Sequence, residues 1–296
     1  MKKIVFDKPV TLVGVGCSHT QGCAFATMAA DSTDEKTIIT WASEKLREKY
    51  GEECTPEFIT NNLTWMSKLK KHIPITEIIN FGFGGFGTTT SLRAVKNYIS
   101  LTPDLRNHLF IFQLQSTFRN EVLWKGDGTV RMDSARHFIS FNTFLDKKFL
   151  NNVSTFLIDE QMDTYMYMLE LFYLQNILEN LGAEVRFFYN CFYSPILIDK
   201  STSDMISNAF YIYKKASYEK ELTGPPTFDD FIKQLNIIDL SNIGDKLVPR
   251  PTLHNEGLLE EDHHLSEKGN EIVAESLFEN INNKVPTNIF RYEILS

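Results

Sequence analysis

Short apolar runs, each followed by glycine or small polar residues, recur along the chain. Runs of four to eight apolar residues bounded by turn residues are typical of buried strands. Glycine-rich segments follow the first two runs, at 14–22 and 82–87. The pattern predicts four strands and a shorter fifth, which are Val10–Val13, Thr76–Phe81, His108–Leu114, Ala183–Tyr189 and Ile237–Leu240.

Between these runs, apolar residues recur at the spacing of amphipathic helices. Thr55 and Pro56 form an N-cap and first-turn pair, and Gly182 stands at a C′ position. We therefore predict helices over residues 23–30, 37–50, 55–72, 91–99, 160–181 and 266–281. Two stripes are expected to face the core. They are Met162, Tyr165, Met166, Leu169, Phe172, Tyr173 and Ile177 in one helix, and Val273, Ala274, Leu277, Phe278 and Ile281 in the last.

The alternation of strand, polar turn and helix is typical of an α/β protein with a parallel sheet and crossover helices. No internal repeat or long linker divides the 296 residues. We therefore expect a single domain over 1–296 with two insertions. An aromatic-rich insertion at about 124–154 is interpreted as a lid over the active end of the sheet, and residues 199–234 form the second.

Composition narrows the function classes. Hydrophobic residues make up 43% and charged residues 23%, which is ordinary globular composition. The net charge of −8 argues against nucleic acid or an anionic membrane as the main partner. No apolar run approaches the roughly 20 residues of a spanning helix, and the first residues lack a signal-peptide pattern. The four cysteines have no paired spacing, so we expect reduced thiols and a cytoplasmic location at synthesis.

Candidate chemistry begins at Ser18, in the turn after the first strand. A serine between a strand and a helix start has an exposed hydroxyl and a nearby N–H that favours negative charge. Both are required of a nucleophile that helps to hold an oxyanion. The alternative is that Ser18 is only a helix N-cap.

A base and an acid precede the last helix. His264 follows Glu261 and Asp262 by three and two residues. A carboxylate at this distance can orient one ring nitrogen, while the other takes a proton from a serine.

These segments together resemble the SGNH (GDSL-like) hydrolase family, and in particular the divergent SGNH-like proteins of tailed phages and large DNA viruses. Residues 16–22, Gly-Cys-Ser-His-Thr-Gln-Gly, are similar to the first family block, Gly-Asp-Ser-x-Thr-x-Gly, with Cys17 in place of aspartate. Residues 80–85 are similar to the second block, and residues 264–269 to the terminal block. The resemblance implies a three-layer α/β/α, flavodoxin-like fold.

The resemblance also implies site roles. Ser18 is the nucleophile and His264 the base, with Asp262 or Glu261 as the acid and Asp262 slightly favoured. The N–H groups of Ser18 and Gly85 form the oxyanion hole.

The third block departs from the family pattern. Gly-x-Asn-Asp is expected after the third strand, and this chain has Gln115-Ser116-Thr117-Phe118-Arg119. Gln115, Thr117 and Arg119 offer an amide, a hydroxyl and a cation in place of the asparagine amide. Loss of one oxyanion donor costs about 3–4 kcal/mol in transition-state stabilisation. The departure leaves a rebuilt hole or a slow or inactive site as alternatives.

Two functions follow from this pattern. The first is a serine esterase, of the acetylesterase type, whose substrate is a small ester or an O-acylated carbohydrate and which needs no cofactor or metal. The second is a non-catalytic module of the same fold that binds a glycan or a partner chain, with a phage virion or a homo-oligomer as its assembly.

Simpler interpretations of single motifs stay open. Gly82–Gly87 is also typical of a flexible turn. Cys17 is an alternative nucleophile in place of Ser18. Arg119 is a structural ion-pair partner in the alternative to its role as an oxyanion donor. The remaining alternative is a metal site on His263 and His264 beside Glu260, Glu261 and Asp262, with His254 near in sequence.

Overall fold

The computed structural model describes residues 3–17, 20, 22, 26–27, 40–41, 48–51, 55–82, 88–114, 120–123, 129–132, 138–140, 160–189, 234–238 and 265–283. The strands are β1 (Val10–Gly16), β2 (Ala26–Thr27), β3 (Thr40–Trp41), β4 (Ile75–Gly82), β5 (His108–Leu114), β6 (Asn120–Leu123), β7 (Thr129–Met132), β8 (Phe138–Ser140) and β9 (Glu184–Tyr189). The helices are α1 (Pro56–Asn62), α2 (Trp65–Leu69), α3 (Thr88–Leu101), α4 (Glu160–Asn180) and α5 (Glu267–Asn280).

The chain divides into two compact units. Unit 1 comprises Met1–Gln115, Leu178–Tyr193 and Ile237–Lys284, and unit 2 comprises Ser116–Ile177, Ser194–Asn236 and Val285–Ser296. Both insertions predicted from the sequence fall within unit 2. The single domain over 1–296 stays a prediction.

Unit 1 contains a parallel four-stranded sheet in the order β4-β1-β5-β9. Ile237 adds a parallel bridge to Phe187, and the Ile238 N–H donates to the Phe187 carbonyl at 2.7 Å. Taken in chain order, these five segments follow the doubly wound order 2-1-3-4-5 of flavodoxin-like folds. The predicted α/β class with a parallel sheet is confirmed.

Helices cover both faces of this sheet. On one face, the ring of Tyr98 in α3 contacts Phe81 and Phe110 at centroid distances of 5.8 and 6.3 Å. On the other face, side chains of β1 and β5 share a buried cluster with α2 and α5. Because both faces are covered, the strands are apolar along most of their length. The resulting architecture has three layers, α/β/α.

The predicted helix over 55–72 starts as expected but is interrupted. Thr55 caps α1 by accepting the Phe58 N–H at 3.1 Å, and Pro56 is its first residue. At Thr64 the backbone becomes extended, and α2 begins at Trp65. The Thr64 hydroxyl donates to the Thr60 carbonyl at 2.9 Å, a local bond that competes with a continuous helix.

The helices predicted over 23–30 and 37–50 are wrong at the positions that the structure describes in β2 and β3. Ala26–Thr27 and Thr40–Trp41 pair as antiparallel strands. Tertiary pairing overrides helical spacing here, and threonine and tryptophan are favoured in strands. Residues 48–50 are helical, as predicted.

Helix α4 has the predicted length, but the inward orientation predicted for Tyr173 and Ile177 is wrong. Leu169 and Phe172 of the predicted stripe are half-buried, and the side chains of Met162, Tyr165 and Met166 lie outside the described ones. The buried side chains include Met168, Leu171 and Leu174, whereas Tyr173 and Ile177 are 58% and 50% exposed. Apolar residues of α4 occur on all sides of the helix, so their spacing alone does not show which side faces the core. In α5, the predicted inward residues are buried except Phe278, which is 37% exposed and stacks on His72.

Unit 2 contains an antiparallel three-stranded sheet, β6-β7-β8, within residues 120–140. It also contains the first part of α4, in which Gln175 accepts the Asn236 N–H at 2.9 Å and donates to the Gln234 carbonyl at 3.1 Å. The lid role of residues 124–154 stays a prediction.

Candidate active site

The eight residues predicted for the site lie outside the described part of the chain. They are Ser18, Gly85, Gln115, Thr117, Arg119, Glu261, Asp262 and His264. His254 and His263, the alternative metal ligands, lie outside it as well. The predicted roles therefore stay predictions, and the structure describes the residues that flank them in sequence.

Strands β1, β4 and β5 each end immediately before one of the predicted site segments, and they are neighbours in the sheet. Pairing aligns Gly16 with Gly82, and Val15 with both Phe81 and Phe112. Strands β1, β4 and β5 therefore end at the same carboxyl edge of the sheet. Ligands bind outside this edge in doubly wound proteins.

The last helix begins at the same edge. Phe188 pairs with Gln113 near the ends of β9 and β5. The ring of Trp65 packs edge-on against the ring of Phe188, with 5.5 Å between the ring centroids. The Trp65 N–H in turn donates to Asn270 Oδ1 in the first turn of α5 at 2.8 Å. Leu265, which follows His264 in sequence, is buried immediately before this turn.

Three polar residues join the ends of the strands and form what we call the edge cluster: Thr20, Asn80 and Gln113. The Thr20 hydroxyl donates to Gln113 Oε1. Asn80 Nδ2 donates to the Thr20 carbonyl and to Thr60 Oγ1, both at 3.1 Å. Because Thr20 and Gln113 are 0% and 3% exposed, these hydrogen bonds satisfy groups that water does not reach.

Residues next to Ser18 are tightly packed. A Cβ at Gly16 would overlap the Thr20 hydroxyl oxygen and lie 2.9 Å from Gln113 Cβ, so the position requires glycine. Gly22 has a φ of 87°, which favours glycine as well. Cys17 is 4% exposed, with Sγ 3.9 Å from Gln113 Oε1. Burial in this contact favours Cys17 as a packed side chain over Cys17 as a nucleophile.

The start of α5 is capped from within. Ser266 Oγ accepts the Gly269 N–H at 3.1 Å, as expected of an N-cap. Asn270 Nδ2 donates to the Leu265 and Ser266 carbonyls at 3.1 and 2.9 Å. These bonds fix the backbone that immediately follows the predicted base.

Glu267, the first residue of α5, gathers three donors. Its carboxylate accepts hydrogen bonds from Lys49, Tyr50 and Lys68, each at 2.9 Å. Partial burial of Glu267 raises its pKa, but hydrogen bonds from Lys49, Lys68 and Tyr50 outweigh burial and lower the pKa to about 2. Glu267 is therefore ionised at neutral pH and links residues 48–50 and α2 to the helix that follows His264.

Two general properties concern the described residues only. Within them, no group of three or more His, Cys, Asp and Glu side chains is arranged to hold a metal ion. In the same part of the chain, no helix has the combined length and apolar character needed to cross a bilayer.

Comparison with solved structures includes a distant likeness to an enzyme. No protein-family model and no curated protein matches the chain. Among solved structures, it is similar to a carbohydrate esterase described as having an active site that "displays divergent catalytic and non-catalytic binding functions". The likeness covers 95% of this chain and 70% of that chain, with 12% identity and a TM-score of 0.36. A likeness at this level carries no conclusion about activity.

Sequence reasoning assigned no role to Asn80, Gln113, Asn270 or Glu267. Asn80 and Gln113 stand near the ends of apolar strands, and a polar residue there, on a sheet covered on both faces, is an available signal. For Asn270 and Glu267, the partners are about 200 residues away in the chain, so no local pattern marks them.

Proposed function

We propose that the chain is a serine ester hydrolase that removes acyl groups, such as O-acetyl, from a carbohydrate. Three segments similar to the SGNH blocks support the proposal, in the family order. Each contains or adjoins a described element that reaches the carboxyl edge of the sheet. The carbohydrate part is an extension from the family resemblance and is tested separately below.

One observation carries the proposal. The ends of β1 and β4 and the first turn of α5 lie at one edge of the sheet, although about 250 residues of chain separate β1 from α5. Consecutive Cα atoms are about 3.8 Å apart, so short connections limit how far neighbouring residues can lie from this edge. Ser18 is two residues beyond Gly16, Gly85 is three beyond Gly82, and His264 directly precedes Leu265.

The proposed reaction proceeds by acyl transfer to Ser18. His264 takes the hydroxyl proton as Ser18 Oγ attacks the ester carbonyl, and then gives that proton to the leaving alcohol. Asp262, or Glu261, orients the imidazole and stabilises its charged form. Water, deprotonated by the same His264, then attacks the acyl carbon. The bond from that carbon to Ser18 Oγ breaks, His264 returns the proton to Ser18 Oγ, and the acid leaves.

The oxyanion hole in this proposal has two backbone donors, the N–H groups of Ser18 and Gly85. A third donor comes from Gln115, Thr117 or Arg119, in place of the asparagine of the family pattern. Such donors act in the transition state, so their removal lowers kcat more than it raises KM.

The experiment uses a fluorophosphonate reagent and p-nitrophenyl acetate. Wild-type protein is expected to be labelled at one residue and to release p-nitrophenol. Ser18→Ala is expected to abolish both while the melting temperature stays within a few degrees. Cys17→Ser is the matched control. Labelling that depends on Cys17 but not on Ser18 would show that Cys17, rather than Ser18, is the nucleophile. Wild-type protein that neither reacts nor turns over would refute hydrolysis.

A second function, glycan or partner binding without turnover, is favoured by a specific departure from the family pattern. Residues 115–119 lack the Gly-x-Asn-Asp block, and Cys17, in place of the family aspartate, is buried against Gln113. An acetylated oligosaccharide that binds both wild type and Ser18→Ala without release of acetate would establish this alternative.

A further inference from the structure

Asn80 uses its whole side-chain amide to join three segments of unit 1. Its Oδ1 accepts the Gly82 N–H at 2.8 Å, and its Nδ2 donates to the Thr20 carbonyl and to Thr60 Oγ1 at 3.1 Å each. The amide has one acceptor oxygen and two donor hydrogens, so all of its hydrogen-bonding groups are engaged. The same residue thereby ties the end of β4, the turn after β1 and helix α1.

Two of these bonds fall beside predicted reacting groups. Thr20 is two residues after Ser18, and Gly82 is three residues before Gly85. Asn80 therefore holds one backbone group on the nucleophile side and one on the oxyanion side. A shift of about 1 Å between reacting groups can cost about a hundredfold in rate.

The turn after β1 is held from further directions as well. The Thr20 hydroxyl donates to Gln113 Oε1, and Ser91 Oγ donates to the Gly16 carbonyl at 3.0 Å. Ser91 and Gln113 are both 3% exposed, so neither contact is in free exchange with water. The Thr20 carbonyl, however, accepts a side-chain hydrogen bond from Asn80. We therefore expect this turn to be sensitive to a change at Asn80.

We propose that Asn80 is a positioning residue that sets the separation between the Ser18 hydroxyl and the Gly85 N–H. This inference rests on the proposed hydrolase function and deepens it. Asn80 touches no reacting atom in this scheme, and acts by fixing the Thr20 carbonyl and the Gly82 N–H relative to each other.

The test compares Asn80→Asp with Asn62→Asp in the full chain. The Asn80 change keeps an acceptor for the Gly82 N–H but places a carboxylate oxygen against the Thr20 carbonyl, so one bond becomes a repulsion. Asn62 is exposed, and its Nδ2 donates to the Phe58 carbonyl within α1 at 2.9 Å, which makes it a matched control. Assays are run well below the melting temperatures of both variants.

Asn80→Asp is expected to lower kcat for p-nitrophenyl acetate about 10- to 100-fold, with KM changed less than threefold, and to slow fluorophosphonate labelling in parallel. Protonation gives the introduced carboxyl an O–H that can donate to the Thr20 carbonyl again. The ratio of variant to wild-type kcat should therefore rise as pH falls from 7 to 5. A role in folding alone would not produce this pH dependence.

Amide hydrogen exchange gives a readout that does not require turnover. Peptides covering residues 14–22 should exchange at least threefold faster in Asn80→Asp than in wild type, with no change in Asn62→Asp. If wild type is active and Asn80→Asp keeps its kcat within twofold, the positioning role is refuted while the hydrolase function stands. If wild type is inactive, the hydrolase function fails and the positioning role of Asn80 in catalysis fails with it, whereas faster exchange in Asn80→Asp would still establish the structural link.

Discussion

The side-chain oxygen of Asn270 accepts the backbone N–H of Trp65 at 2.8 Å, across 205 residues of sequence. Trp65 is the first residue of α2, and Thr64 makes no side-chain cap bond there. Asn270 therefore supplies the cap that α2 lacks. Its Nδ2 simultaneously binds the Leu265 and Ser266 carbonyls, so one buried amide joins the starts of two helices.

Asn270→Leu is expected to lower the free energy of unfolding by about 1–3 kcal/mol, because the buried Trp65 N–H loses its acceptor and the Leu265 carbonyl loses a side-chain donor. The Ser266 carbonyl keeps the backbone N–H of residue 270. Denaturant unfolding measures the change. Asn280→Ala is the control. Its side chain donates to the Ser276 carbonyl and accepts from Asn283 Nδ2 near the partly exposed end of α5, so its loss should cost less than about 1 kcal/mol. Equal losses in the two variants would contradict the capping role of Asn270.

Glu267 makes stability depend on pH in a defined direction. Its pKa in the folded protein is about 2, below its ordinary value of 4.5, so its contribution is present above pH 4.5. That contribution is lost as pH falls from 4.5 towards 2. Because the side chain is 35% exposed, we expect about 1–2 kcal/mol after screening.

Glu267→Gln should therefore be less stable than wild type at pH 7 and nearly equal to it at pH 2.5, by denaturant unfolding at both pH values. Glu271→Gln is the comparison, since Glu271 meets Lys71, which is 61% exposed, at 2.9 Å. Its loss should be below about 1 kcal/mol. A difference between wild type and Glu267→Gln that grows on acidification would disprove the assignment.

Arg186 is a fully buried cation between the sheet and the end of α5. Its Nε donates to the Ile281 carbonyl and one terminal nitrogen donates to the Val185 carbonyl, each at 2.8 Å. Burial lowers its pKa to about 10, so it stays charged at neutral pH. Arg186→Met should cost about 2–4 kcal/mol, because two carbonyls lose charge-assisted bonds. Glu184→Gln, which leaves both bonds, should cost less, and a reversed order in denaturant unfolding would disprove this explanation.

Gly16→Ala should disturb the edge cluster directly. The added methyl group would meet the Thr20 hydroxyl and the Cβ of Gln113, which is fixed to the backbone of β5. We expect a loss of about 1–3 kcal/mol and slower labelling of Ser18 by a fluorophosphonate. Gly14→Ala meets the flexible thioether of Met66 instead. Slower labelling in Gly14→Ala but not in Gly16→Ala would contradict the inference that Gly16 affects Ser18 through the edge cluster.

The acid partner of His264 can be identified by a pair of isosteric changes. We expect Asp262→Asn to lower kcat by about 10³- to 10⁴-fold, as loss of the orienting carboxylate does in serine hydrolases, and Glu261→Gln to leave kcat within tenfold. Steady-state kinetics on p-nitrophenyl acetate measures both. The opposite order would assign the role to Glu261.

The parallel sheet was predictable because strands buried on both faces form continuous apolar runs that turn residues interrupt. Even the short segment at Ile237 was found this way. The two-residue strands β2 and β3 were not, because so short a pair has no period of its own. The break at Thr64 escaped prediction because a side chain 205 residues away supports the new helix start.

For the site, sequence predicted which motifs belong together, and the structure shows that described residues beside three of them share one edge. What sequence could not provide is the network that holds this edge. The sequence marks the positions of Thr20, Asn80 and Gln113, but their hydrogen bonds to one another follow only once the register of three strands brings them together.

Ile4 and Asn282 bind each other reciprocally, with Ile4 N–H donating to Asn282 Oδ1 at 2.7 Å and Asn282 Nδ2 donating to the Ile4 carbonyl at 3.2 Å. Helix α5, which precedes Asn282, covers one face of the sheet together with α2, so this face is only partly covered until residues 267–280 have been synthesised. The apolar strands that are synthesised early therefore stay partly exposed until α5 packs on them. Contacts between residues so distant in sequence also slow folding. Nascent chains of this protein should consequently depend on chaperones until α5 has been synthesised.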